Sequence, residues 1–199
     1  MEKIDGGVTA AKGFLAAHTA AGIKYQGRDD MAMIYSKVPA VAAGTFTRNV
    51  VKAAPVKWDQ QVVGESPFVQ AVVMNAGIAN ACTGQEGMGY CKETADAAGS
   101  ALGIPSQAVL VASTGVIGMQ LPMDRLRAGI GAMVPKLEDT RQAAAAAAQA
   151  IMTTDTHKKE AAVTFTVDGK TVTVGGMSKG SGMIHPNMCT MLAFITTDL

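Results

Sequence analysis

Charge, aromatic rings and cysteine are all scarce in this sequence of 199 residues. Charged side chains make up 17% of it and nearly cancel, 17 basic against 16 acidic, leaving a formal charge of +1. A nucleic-acid-binding face needs a marked basic excess, so that class is excluded. Cysteine occurs three times, as Cys82, Cys91 and Cys189, without Cys-x-x-Cys or Cys/His spacing. That count and spacing argue against a disulfide framework and a structural zinc site, and a reducing cytosol fits. The opening Met-Glu-Lys-Ile-Asp-Gly-Gly lacks the apolar core of a signal peptide. Residues 66–85 and 97–123 are free of charge, but Pro, Gly, Asn, Gln, Ser and Thr break both stretches. Neither holds the near-continuous apolar run of about 18 residues that a membrane span requires.

What is abundant is small and apolar. Hydrophobic residues reach 48% although aromatics are only 5%, and the chain carries 22 Gly and 13 Met. Such a composition excludes disorder and implies a close-packed interior with many tight turns. The length suits one domain of roughly 150–200 residues, which buries about 70% of its unfolded surface without needing metal or disulfides. We read residues 1–199 as a single α/β domain.

Periodicity supplies the elements. Residues 31–36 and 42–48 read as short strands separated by Pro39 and Gly44. The run Phe-Val-Gln-Ala-Val-Val-Met-Asn at 68–75 suits a strand covered on both faces. A helix over 86–102 ends at Gly103-Ile-Pro105. Residues 108–112 form a second buried strand that runs into Ser113-Thr-Gly-Val-Ile-Gly118. Pro122-Met-Asp124 opens a helix to about residue 134, and residues 139–152 form another, with six consecutive alanines. Two alternating runs joined by Asp168-Gly169 make a hairpin, because Asp-Gly suits a turn with positive φ at both positions. A two-residue loop pairs Phe165 with Val172 and Val163 with Val174 on one face, and puts the threonines on the other. Strands alternating with helices, plus a hairpin, predict a mixed sheet with helical layers.

Several residues could carry chemistry. Gly176-Met-Ser178-Lys-Gly180 satisfies Gly-x-Ser-x-Gly, but a nucleophile elbow needs a following helix, and Ser-Gly-Met-Ile-His-Pro-Asn is a poor one. Lys179 is either a solvated lysine or a fixed cation for a carboxylate. His185 has no acidic residue nearby in sequence, and His18 and His157 read as surface residues. Thr114-Gly115 ends a buried strand, where backbone amides can face a developing oxyanion, although the residues alone favour an ordinary strand-to-helix loop. Thr153-Thr-Asp-Thr156 reads as a polar helix cap or as substrate contacts. Thr190, after Cys189, is either buried in a strand start or a nucleophile. As a new N-terminus it would own an α-amine with a pKa near 8, a built-in base.

Taken in order, the motifs resemble the ornithine acetyltransferase family, the glutamate N-acetyltransferases of arginine biosynthesis. The matching stretches are Gly6-Gly-Val-Thr-Ala-Ala-Lys-Gly13, Phe46-Thr-Arg-Asn49 with Lys52-Ala-Ala-Pro55, and Asn75-Ala-Gly-Ile-Ala-Asn-Ala-Cys-Thr-Gly84. They continue with Ser113-Thr-Gly-Val-Ile-Gly118, Ala150-Ile-Met-Thr-Thr-Asp155 and Gly175-Gly-Met-Ser-Lys-Gly-Ser-Gly-Met-Ile-His-Pro-Asn187, and reach Thr190-Met-Leu-Ala-Phe-Ile-Thr-Thr-Asp198.

The resemblance implies an α/β sandwich, mixed sheets between helical layers. It implies a precursor that cuts itself between Cys189 and Thr190, giving an α chain 1–189 and a β chain from 190. Thr190 then takes an acetyl group from N-acetylornithine and passes it to glutamate. Thr114 and Gly115 are implied as the oxyanion hole, and Thr153, Lys179 and Thr190 as substrate contacts. Some family members also use acetyl-CoA; no metal or organic cofactor is implied. The implied partner is the protein's own C-terminal β chain, in an α2β2 assembly in the cytoplasm. Cys189 stands where the family commonly has Ala, and Leu199 falls shortly after Thr190, so the chain reads as the N-terminal portion. Alternatives are a self-processing aminopeptidase of similar architecture, a serine hydrolase using Ser178, and a structural half active only with its complement.

Overall fold

The apolar runs and alternations become two four-stranded sheets in the computed structural model, which describes residues 1–180 and 191–199. In chain order the strands are β1 (Glu2–Ile4), β2 (Phe14–Thr19), β3 (Met31–Ala40), β4 (Val69–Ile78), β5 (Val109–Val116), β6 (Lys159–Val167), β7 (Lys170–Lys179) and β8 (Leu192–Thr197). The helices are α1 (Ala54–Glu65), α2 (Gly84–Leu102), α3 (Met123–Met133) and α4 (Arg141–Ala150). One sheet runs β2-β3-β4-β5; its last pair is parallel, with α2 in the crossover. The other, β1-β6-β7-β8, is antiparallel throughout.

Two apolar layers lie on the two faces of the mixed sheet. Ala71 and Val73 of β4 and Met31 and Met33 of β3 pack against Ala95 and Ala98 of α2 and Leu126, Ile130 and Met133 of α3. Ala32, Ile34 and Met74, one residue out of phase, face the alanines of α4, and Met177, Leu192 and Phe194 of the second sheet close that layer from beyond. The order is thus helices, mixed sheet, α4, antiparallel sheet. The alanines make α4 slim enough to lie between two sheets: Ala144, Ala147 and Ala148 of the run of six, and Ala150 beyond it, are each 0% exposed. Thr140 starts this helix, its hydroxyl accepting the Ala143 amide at 3.1 Å.

The hairpin register is the expected one, Val163 opposite Val174 and Phe165 opposite Val172. Ala162, Met177 and Phe194 point inward; the opposite face carries Val163, Phe165 and an Ile195 that is 75% exposed.

Two differences from the sequence reading are physical. Residues 42–48 are not a strand. β3 shifts register between Tyr35 and Ala40, and the chain beyond finds no sheet partner. A helix unmarked by the pattern, α1, instead covers the open edge of β5. Trp58 Nε1 donates to the Val109 carbonyl at 3.0 Å, and Asp59 accepts the Val111 amide at 2.9 Å. Side chains thereby satisfy an edge that would otherwise present unpaired groups. No helix among the described residues is long and apolar enough to cross a membrane.

Candidate active site

Residues from three segments distant in sequence meet between the sheets. Thr114 lies near the end of β5 on the side facing α4, two residues after Ala112, which packs in the α4 layer. Lys179 is the last residue of β7, two residues after inward-facing Met177. Thr153 and Asp155 come from the segment joining α4 to β6.

Lys179 is 3% exposed, which rules out a solvated lysine. Its Nζ donates to Thr114 Oγ1 at 3.0 Å and to Thr153 Oγ1 at 2.8 Å. Asp155 Oδ2 stands 3.8 Å from the same nitrogen, an ion pair beyond hydrogen-bond reach. Asp155 Oδ1 accepts from the Gly180 amide at 3.0 Å and from Lys159 Nζ at 2.5 Å. Its Oδ2 is buried without a hydrogen-bond partner among the described residues.

Burial by itself would raise the Asp155 carboxyl; the Gly180 amide and the Lys159 and Lys179 ammoniums outweigh it and hold the group at about 2. Burial lowers Lys179 from its ordinary value, Asp155 opposes that, and Lys159 adds to it. The site is therefore a buried carboxylate flanked by two cations, one of which spends two of its three protons on threonine hydroxyls. Once an oxygen lone pair of Thr114 accepts from Lys179, the hydroxyl's own proton is free to donate elsewhere.

Next to Thr114, Gly115 has a φ of 136° and faces Gly77 across the parallel pair. A Cβ there would stand 2.2 Å from the Gly77 carbonyl carbon, so the strand ends approach this closely only because the position is glycine. The Thr114-Gly115 stretch is thus held by backbone contact beside the polar cluster, still paired with Ala76 and Gly77 of β4 as the strand runs on to Val116.

Thr114, Thr153 and Lys179 are brought together as a group, with Gly115 adjoining. Cys189 and Thr190, and His185, lie outside the described residues. Ser178 belongs to strand β7 and points to the face opposite Lys179, where it pairs with Lys159 and Ala193; it sits inside a strand and not at a strand-to-helix turn, which removes the elbow reading. His18 and Asp29 form a half-exposed pair at 2.6 Å, and His157 is exposed beside Thr156. Asp155 is the residue whose part the sequence reading missed. The signal available was a lone acid among threonines, four residues before Lys159. Among the described residues no group of three or more His, Cys, Asp or Glu side chains converges to hold a metal.

Comparison with known proteins places the chain among relatives of one kind. A family model described as the ArgJ family matches residues 15–199. The arginine biosynthesis bifunctional protein ArgJ of Symbiobacterium thermophilum is 54% identical over 200 aligned positions, covering 100% of this chain and 49% of the relative. The protein of the same name from Gloeobacter violaceus is 51% identical, with 99% and 48% covered. The chain thus spans about half the length of the curated relatives it matches. Among solved structures, the ArgJ protein of Bacillus halodurans superposes with a TM-score of 0.88 at 44% identity, covering 96% of this chain and 97% of that one. An ornithine acetyltransferase from Mycobacterium tuberculosis, solved with ornithine, gives 0.85 at 46% identity, with 92% and 96% covered.

Proposed function

The chain belongs to the ArgJ family, and from that premise we propose that it supplies the oxyanion-binding and lysine side of the site, together with the Thr190 that carries the acyl group, in an acetyltransferase of arginine biosynthesis. The whole protein moves an acetyl group from N-acetylornithine to glutamate, with Thr190 holding it in between. The observation that carries this reading is the buried Lys179 ammonium tied to the hydroxyls of Thr114 and Thr153.

In this reading the Thr190 hydroxyl first attacks the Cys189 carbonyl, and water opens the resulting ester. The freed α-amine of Thr190 then serves as base. It takes the hydroxyl proton as Oγ1 attacks the acetyl carbonyl of the donor, whose π electrons move onto oxygen. When that oxyanion collapses, the C–N bond to ornithine breaks and the departing amine takes the proton. The amine of glutamate attacks the ester in turn, and Thr190 regains its proton.

Each transfer passes through an oxyanion, and the Thr114 hydroxyl and the Gly115 amide are its donors. Lys179 polarises the first of these. A donor of this kind is worth ~10²–10³ in turnover. Lys179 and Thr153 also meet the α-carboxylate that donor and acceptor share. The reaction runs without a cofactor, with acetyl-CoA as an alternative donor, in the cytoplasm. The partner is the protein's own C-terminal half, in an α2β2 assembly.

Replacing Lys179 in the full-length protein tests the reading. Lys179→Met keeps the apolar stem and removes the cation, so kcat/KM should fall for N-acetylornithine and glutamate together. Unchanged values for both would return Lys179 to a purely structural role.

A further inference from the structure

Asp155 is absent from the chemistry above, yet it is the only carboxylate that Lys179 pairs with among the described residues. Its side chain is 0% exposed, while that of Lys159 on the same carboxylate is 36% exposed. One oxygen is fully engaged, by the Gly180 amide at 3.0 Å and by Lys159. The other faces Lys179 at 3.8 Å and accepts no hydrogen bond from the described residues. A buried, ionised oxygen left unpaired costs free energy, and the nearby ammonium is what offsets it. The arrangement separates two functions on one side chain. Oδ1 anchors the backbone at Gly180, just past the end of β7, and Oδ2 supplies charge to Lys179.

We propose that Asp155 is a positioning residue for this site: its carboxylate keeps the Lys179 ammonium charged and aimed at Thr114 and Thr153, and through Gly180 it fixes the strand end that carries Lys179. The inference rests on the proposed role of Lys179 and deepens it. At 3.8 Å no proton is shared, so the charge of Asp155, more than its shape, is what acts on Lys179.

The groups that face Lys179 are few. Among the described residues they are Asp155 from the α4–β6 segment and the neutral hydroxyls of Thr114 on β5 and Thr153; Lys159 of β6 acts on Lys179 by charge from the far side of Asp155. Arg28 of the β2–β3 loop donates to the Met152 carbonyl at 2.8 Å, one residue before Thr153, and is not among the charges that act on Lys179. With Lys159 as a like charge and Asp155 as the one opposite charge acting on it, removing the anion leaves Lys179 buried beside a second cation. It then gives up its proton at lower pH than in the parent protein.

Asp155→Asn in the full-length protein separates charge from shape, because the amide oxygen can still accept from Gly180. Two measurements decide. In ¹³C-lysine NMR, the titration of the Lys179 Cε resonance should move to lower pH by about one to three units. In kinetics, the alkaline limb of kcat/KM for both N-acetylornithine and glutamate should move the same way, and Asp155→Glu should restore part of the shift. A Lys179 titration and a pH profile that superpose on the parent's would overturn the proposal, as would Asp155→Glu performing no better than Asp155→Asn. A parent protein without acetyl exchange would sink the functional reading alone; the NMR titration would still judge Asp155.

Discussion

Gly115→Ala places a methyl group where β4 and β5 lie closest. The new Cβ would stand 2.2 Å from the Gly77 carbonyl carbon, 2.3 Å from its oxygen and 2.7 Å from its Cα. Comfortable contact needs about 3.5 Å, so the strand ends must part by roughly 1 Å or more. Nothing flexible can yield, since all three atoms are backbone. Parting strains the bonds just beyond, from the Ala79 amide to the Val116 carbonyl and from the Gly118 amide to the Ala81 carbonyl, both 2.9 Å. Holding alanine at a φ of 136° costs about 1–3 kcal/mol. Overpacking adds about 1–3 kcal/mol, for a total of roughly 2–6 kcal/mol. In a chain of this length that lowers Tm by about 10 °C. Thermal unfolding followed by circular dichroism reads it, with Gly131→Ala as the control. Gly131 lies in α3 with nothing within 4 Å of its virtual Cβ, so alanine there should stabilise by about 0.5–1 kcal/mol. In the full-length protein Gly115→Ala should also reduce kcat by ~10²–10³, through displacement of an oxyanion donor. A Tm within about 2 °C of the parent would refute the close approach of the two strands.

Two further predictions concern stability. Burial pushes the Asp59 carboxyl up to about 8, against the pull of the Val111 amide, so its folded pKa lies above the unfolded value of 3.8. A raised carboxyl stabilises fully at pH below 3.8, and that contribution is lost as pH rises through about 8. Asp59→Asn keeps the acceptor and does not titrate, so its Tm relative to the parent should climb between those limits and level off above; a pH-independent difference would contradict this. Thr140→Ala removes the N-cap of α4 and should cost about 1 kcal/mol, a Tm loss of about 2–4 °C; no change would show that the cap carries no stability.

Legibility followed sequence distance. The hairpin register was readable because Asp168-Gly169 leaves a two-residue loop and the strand period fixes the pairs. β4, β5, α2, α3 and α4 were readable from apolar runs and from Gly and Pro at their ends. α1 was not, because its apolar stripe is thin: it works through Trp58 and Asp59 on the edge of a strand some fifty residues further on, |i−j| of 51 and 52. Residues 42–48 have strand composition but join neither sheet among the described residues, and a strand outside a sheet does not form. At the site, composition and spacing singled out the residue types of Thr114, Thr153 and Lys179, while their meeting was legible only through the family resemblance. Lys179 reaches Thr114 across 65 positions and Thr153 across 26, and burial of a lysine depends wholly on such contacts. Asp155 stayed hidden for the same reason, since its partners sit at Gly180 and Lys179 on another strand end.

Trapping the acyl group tests the account most directly. Full-length protein is given N-acetylornithine without glutamate, quenched in acid, digested and examined by mass spectrometry. The account predicts a peptide that begins at Thr190 and carries one acetyl group on the threonine hydroxyl, and predicts that adding glutamate before the quench removes it. Acetyl exchange proceeding at full rate in a chain still joined at Cys189–Thr190, with Thr190 unmodified, would contradict it.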